Sequence, residues 1–197
     1  MEKPLSPSCE RNQVLILDIL MFLLKDKKSV LEIGSGTGQH AVFFSKHMPH
    51  LVWQTSDLPD KHAGIIAWIE DSQLSNVLRP LSLDVNYDTF PHQEFDSVFT
   101  ANTCHIMGWQ SVLHLIEKVS KTLIPGGLFI IYGPFNFDGE YTAESNRAFD
   151  RMLKMENPIM GIRNFEDLSE HSSRHRLQFI NKYSMPANNF ILTFQKK

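Results

Sequence analysis

At 197 residues the chain has the length of one domain, enough for a single core to bury stabilising surface without disulfide staples. Its 42% hydrophobic and 21% charged content is that of an ordinary globular protein, which excludes disordered, collagenous and membrane-bundle classes. The formal net charge of −3 argues against the basic footprint that duplex nucleic acid demands, so no nucleic-acid partner is expected.

Residues 1–8 carry Pro4 and Pro7 and no apolar signal core, which predicts no leader. An amphipathic helix is expected over residues 9–24. Its most apolar stretch is interrupted by Asp18 and is far too short to span a bilayer, so no membrane partner is expected. Residues 29–33 read as a buried strand, 39–47 as a helix stopped by Pro49, and 51–55 as a second strand ending at Ser56-Asp57. A helix over 61–71, a strand over 78–83 and a strand over 95–100 follow. Then come a helix over 109–123, the most apolar strand at 128–132, a helix over 142–155, and strands at 177–183 and 189–195. Gly133-Pro134 is expected to bend the chain away from the sheet. Cys9 and Cys104 are too few for a disulfide framework and read as reduced thiols in a cytoplasmic protein.

Strands alternating with helices predict an α/β fold: a Rossmann-like, doubly wound, mainly parallel sheet with an antiparallel C-terminal hairpin at one edge. One domain over 1–197 is expected, with residues 1–25 as a helical lid. In such sheets ligands sit beyond the carboxyl ends of the strands, and each polar motif in this sequence falls at one of those ends.

The sharpest motif is Glu32-Ile-Gly34-Ser35-Gly36-Thr-Gly38, between an apolar strand and a helix. A plain strand-to-helix turn needs one glycine rather than three. A dinucleotide fingerprint, G-x-G-x-x-G, requires glycine where this chain has Gln39. The pattern resembles motif I of the class I S-adenosylmethionine-dependent methyltransferases. That resemblance implies that Glu32 lies near the cationic amino-acid end of the cofactor. Asp57 follows Gly38 by 19 residues, about the interval that sets an acid on ribose hydroxyls; the alternative is a cap for the next helix. Leu58 would then lie against adenine. Asp84-Val85 fits the position from which this fold contacts adenine, and Asn102 matches the position that lines the methionyl arm.

Beyond the generic fold, the chain resembles the uncharacterised methyltransferase-like family that includes human methyltransferase-like protein 26. The resemblance is carried by Ser6-Pro-Ser-Cys-Glu-Arg-Asn12, Trp53-Gln-Thr-Ser-Asp57, Ala101-Asn-Thr-Cys-His-Ile106, Gly161-Ile-Arg163 and Met185-Pro-Ala-Asn-Asn189. It implies a seven-stranded sheet of order 3-2-1-4-5-7-6 and methyl transfer from S-adenosylmethionine, with S-adenosylhomocysteine as product, but no acceptor.

On the acceptor side, His105 is the candidate general base, its alternative being a packed histidine with satisfied nitrogens. Asn136 is placed to orient a polar acceptor just past the 128–132 strand. Tyr132 and Asn146 are candidate contacts, and Asn189 is placed to reach over the pocket mouth. Arg11 with Asn12, substrate-side candidates as well, is placed to form a lid over the cofactor, the alternative being a solvated helix end. His171 and His175 have i, i+4 spacing but lack the H-E-x-x-H pattern, so no metal is expected. The expected function is methyl transfer to a small-molecule acceptor by a monomer or homodimer. The alternatives are a non-catalytic S-adenosylmethionine-binding protein and a nicotinamide-dependent oxidoreductase.

Overall fold

A computed structural model describes residues 3–91 and 94–197. Helix α1 (Pro7–Leu23) begins two residues earlier than the periodicity predicts, because Ser6 caps it by accepting from the Cys9 N–H and Pro7 takes the first turn, where no N–H partner is needed. Then follow β1 (Ser29–Ile33), α2 (Gln39–His47) and β2 (Val52–Asp57). A 3-10 turn (Pro59–Lys61) leads into α3 (His62–Ser72), followed by β3 (Val77–Ser82), β4 (Phe95–Ala101) and α4 (Trp109–Thr122). The chain ends with β5 (Leu123–Asn136), α5 (Glu144–Glu156), β6 (Arg163–Asn164), α6 (Phe165–Arg174), β7 (Leu177–Met185) and β8 (Asn189–Lys196).

The sheet runs β3-β2-β1-β4-β5-β8-β7, with the two-residue β6 pairing to the far end of β5. The long strands thus follow the expected order. Strands β1 to β5 pair in parallel, whereas β8 runs antiparallel to both β5 and β7. The strand order reverses between β1 and β4, the switch point beyond whose carboxyl ends ligands sit in sheets of this kind.

Alternate residues of each central strand serve opposite cores. On one face, Val30, Phe99, Ile130 and Tyr132 pack under α1, α2 and α3 with Ile16, Leu20, Phe44 and Ile65. On the other, Leu31, Val98, Phe129 and Ile131 pack under α4 and α6 with Leu115, Ile116, Val119 and Leu168. Burial on both faces is why these strands read as continuous apolar runs. Trp53 is fully buried at the centre of the first core, its ring 5.6 Å from Phe44 and 5.9 Å from Phe99.

Two expectations need correction. Gly133-Pro134 does not turn the chain away: β5 continues to Asn136, because Gly133 pairs with Phe190 and Pro134 with Asn189 on β8. Between the predicted helix at 142–155 and the strand at 177–183, β6 and α6 were not anticipated. No helix among the described residues is long and apolar enough to cross a membrane.

Candidate functional site

The glycine loop leaves β1 at its carboxyl end. Gly34 (φ 73°) turns the chain, and a Cβ on it would come within 2.6 Å of the Thr103 methyl group, so the loop after β4 packs directly on it. That neighbouring loop is fixed in turn. The Thr100 hydroxyl donates to Ile33 O at 2.8 Å, which leaves the Thr103 hydroxyl to donate to Thr100 at 2.6 Å. Gly38 (φ 90°) precedes α2, and a Cβ there would lie 2.9 Å from the Ile65 Cα, so α2 and α3 meet closely at this point.

Glu32 is buried, and a single oxygen, Oε2, accepts from the Ser35 hydroxyl (2.8 Å) and the Trp53 indole (3.1 Å). Burial pushes its carboxyl up to about 7, with the two hydrogen bonds opposing and the charge of Asp57 reinforcing the rise. Asp57 accepts from Gly36 N through Oδ2 and from Leu58 N through Oδ1, both at 2.7 Å. It therefore ties the glycine loop to the end of β2. It does not cap the following helices, which have no side-chain cap. Burial raises its carboxyl above the usual range, and the two backbone donors oppose that.

The remaining residues on this side are less uniform. Leu58 is exposed beside the 3-10 turn. Asp84 accepts from Asn86 N at 2.8 Å and so shapes its own turn. Val85 is buried in the core with Leu83 and Phe90, so its side chain is committed to packing.

On the other side of Asn102 lie two adjoining cavities of about 430 and 340 Å³. They share Ser8 and Arg11 from α1, Asn102, Ala187 from the β7–β8 turn and Asn189 at the start of β8. The larger is also lined by Asn12 and Tyr132, the smaller by His105, Asn146 and Phe149. The fold thus brings together six of the seven residues singled out for the acceptor side. Asn136 is the exception. It lies beyond them on β5, buried and opposite Asn164, lines neither cavity, and its Oδ1 finds no partner among the described residues. Of the candidates for the cofactor side, Asn102 is the one that lines these two cavities. Asn102 (φ 59°) and Ala187 (φ 55°) both hold left-handed backbone conformations that non-glycine residues rarely adopt, and strain of this kind concentrates at functional sites.

The His105 ring stands edge-on to Phe149, with centroids 5.4 Å apart, and finds no hydrogen-bond partner among the described residues. Burial, aided by the Arg163 charge, lowers its pKa to about 4, so at neutral pH the ring is uncharged. Arg163 donates to the backbone carbonyls of Cys104, Met107 and Ile159, which pins the loop that carries His105.

The family model described as "Protein of unknown function (DUF938)" matches residues 3–196. The chain belongs to that family. Among solved structures it is similar to an O-methyltransferase family protein from Burkholderia thailandensis (TM-score 0.84, 16% identity, 96% of this chain and 57% of that one). It is also similar to the S-adenosylmethionine-dependent methyltransferase SibL (0.81, 20%, 95% and 55%). A third is human N-acetylserotonin methyltransferase in complex with SAM (0.76, 18%, 96% and 52%). At these identities the likeness establishes a shared fold. This DUF938 chain spans little more than half the length of each of these structures.

Sequence reasoning missed the contacts that hold the N-terminal segment and the β7–β8 turn of the DUF938 chain in place. Residues 3–6 lie across α2 and α3: Trp68 Nε1 donates to Pro4 O at 2.8 Å, and the Ser6 N–H donates to the Gln39 side chain. Gln39 also accepts from the Thr37 hydroxyl, so the residue that breaks the dinucleotide pattern fastens the N-terminal strap to the glycine loop. Asn12 Oδ1 accepts from the His40 Nε2–H at 2.7 Å, which docks α1 on α2. Asn146 donates to Asn188 O at 3.1 Å and clasps the β7–β8 turn to α5. No periodicity carries contacts of this range; the polar residues in positions 6–12 and 185–189 were the available signal.

Proposed function

We propose that this chain is an S-adenosylmethionine-dependent methyltransferase acting on a small-molecule acceptor. The observation that carries this reading is a junction. Gly34 packs on Thr103, and the adjacent Asn102 is shared by both cavities, so the glycine loop meets the acceptor side at one point on the carboxyl edge of the sheet.

The residues present fit the cofactor. Gly36 is exposed with φ 59°, and a Cβ there would project into open space, leaving the backbone approachable by a ligand. Each oxygen of Asp57 accepts one backbone N–H and retains lone-pair capacity for ribose hydroxyls. Glu32 would hold the ammonium, Asn102 the methionyl arm, and Leu58, Asp84 and the backbone of Val85 the adenine, with Ser35 orienting Glu32. Bound there, S-adenosylmethionine supplies a methyl group already activated by its sulfonium.

The chain's own residues then position the acceptor and exclude water. Arg11 and Asn12 of α1, Ala187 of the β7–β8 turn and Asn189 at the start of β8 line the cavities and would hold the acceptor there. His105, uncharged at neutral pH, accepts the proton that a hydroxyl or amine acceptor must lose. The shared fold with proteins named as methyltransferases supports this assignment, as does the resemblance to the methyltransferase-like family.

Calorimetric titration with S-adenosylmethionine, S-adenosylhomocysteine and NADH tests it. Binding of the two adenosyl ligands alone is expected; binding of NADH instead would transfer the chain to the oxidoreductases. Adenosyl-ligand binding without turnover on any acceptor would leave a binding protein.

A further inference from the structure

The lining of the two cavities carries one formal charge. Arg11 lines both, and no carboxylate lines either. Arg79, Arg147, Arg151 and Arg174 each face a glutamate and Arg163 is spent on backbone carbonyls. The Arg11 and Arg176 side chains make no ion pair or hydrogen bond among the described residues, and of these two Arg11 is the one that lines the cavities. A guanidinium offers donors in a fork that matches carboxylate and phosphate oxygens.

The amides beside it are already oriented. Asn146 uses its Nδ2 on Thr142 and on Asn188 O, and Asn189 uses its Nδ2 on Pro186 O and Ala187 O. The network fixes which way these amides face, so what they have left for a ligand is a carbonyl oxygen, an acceptor. Phe149 is the one aromatic carbocycle in the smaller cavity. A site of this make-up suits a ligand with one anionic group and several hydrogen-bond donors better than a flat apolar ring.

We infer that the smaller cavity takes a small acid, a carboxylate or phosphate monoester bearing hydroxyl or amino groups, whose anion pairs with Arg11 while its donors face Asn146 and Asn189. The inference names an acceptor class and so rests on the methyl-transfer reading. Within that reading it has a further physical reason. A sulfonium held nearby adds a second positive charge to a lining that has no counter-charge, and an anionic acceptor relieves the repulsion.

The test separates the two ideas. Titration with S-adenosylhomocysteine, done first, reads the donor site alone. Saturation-transfer NMR, with and without saturating S-adenosylhomocysteine, then compares matched probes: malate with malamide, glycerate with glycerol, and glycerol 3-phosphate with glycerol. The expected result is binding of acids and not of their neutral partners. The carboxylate and phosphate arms tell which anion is preferred. Arg11→Gln should weaken acid binding at least tenfold with S-adenosylhomocysteine affinity within twofold of wild type, and Arg11→Lys should recover part of the loss. Equal binding of neutral partners overturns the inference, as does acid binding undiminished in Arg11→Gln or no acid binding to a folded protein. A parallel loss of S-adenosylhomocysteine affinity in Arg11→Gln also overturns it, because Arg11 would then serve the donor's carboxylate.

Discussion

The Trp53 indole N–H and the Ser35 hydroxyl donate to the same oxygen of Glu32, at 3.1 and 2.8 Å. Two donors on one oxygen do not offset the burial of the whole carboxylate, and its pKa rises to about 7. Between the ordinary value of 4.5 and about 7 the folded state holds a proton that the unfolded state has released. This group's contribution to stability therefore falls as pH rises through that window, and above it the full penalty is present, about 3 kcal/mol. Glu32→Gln keeps an oxygen for both donors and removes the charge. Its melting temperature should exceed that of wild type at pH 8, and the difference should vanish near pH 4.5. Thermal melts across that range check the sign; an equal or lower value at pH 8 would show that the carboxylate is stabilised by the fold. The same variant should bind S-adenosylhomocysteine more weakly, the pattern of a stability cost kept for function.

Gly36 and Gly38 should respond differently to alanine. At Gly36 the added methyl meets open space, so the cost is that of a left-handed alanine, about 1–2 kcal/mol. At Gly38 it meets the Ile65 backbone at 2.9 Å as well as a φ of 90°, and roughly 2–4 kcal/mol is expected. Denaturant midpoints measure both. Gly36→Ala should also impair adenosyl-ligand binding in a protein that is still folded. A Gly36→Ala cost as large as that of Gly38→Ala would mean that Gly36 faces protein.

The strand-end motifs were legible because each lies where an apolar run of fixed period stops, because Gly34 and Gly38 hold positive φ that few other residues tolerate, and because Asp57 can accept two backbone N–H groups at once. The elements missed between α5 and β7 lack such a signal. Strand β6 has two residues, too few for any period, and α6 buries only Leu168 and Ser172 among charged neighbours. The bend expected at Gly133-Pro134 was overridden by pairing with β8, a partner more than fifty residues away in sequence. Asn136 was misplaced for the same reason: with β5 extended, it sits against β6 rather than over the cavities.

Asp57→Ala removes the acceptor of the Gly36 and Leu58 N–H groups together with the proposed ribose contact. Affinity for S-adenosylhomocysteine should fall by about 1.5–3 kcal/mol, the scale of lost charge-assisted hydrogen bonds. Calorimetry reads this directly. Unchanged affinity in the folded variant would remove the ribose assignment and leave Asp57 as a tie between β2 and the glycine loop.

His105 offers the last discrimination, because its environment moves its titration away from that of ordinary histidines. Burial and the nearby Arg163 charge both oppose protonation, so the ring stays neutral until the pH falls to about 4. If it takes the acceptor's proton, its contribution is lost only as pH falls through about 4, and this group leaves turnover level from about pH 5 to 8. An exposed histidine would instead give a limb near 6.5. His105→Gln should lower turnover about 100-fold or more, the usual contribution of a positioned base, with S-adenosylhomocysteine affinity preserved. S-adenosylhomocysteine formation against pH, in wild type and variant, supplies both readouts. Equal turnover in the variant would make His105 a packing partner of Phe149. An acid limb near 6.5 that disappears in His105→Gln would instead mean that the loop pinned by Arg163 opens to solvent during catalysis.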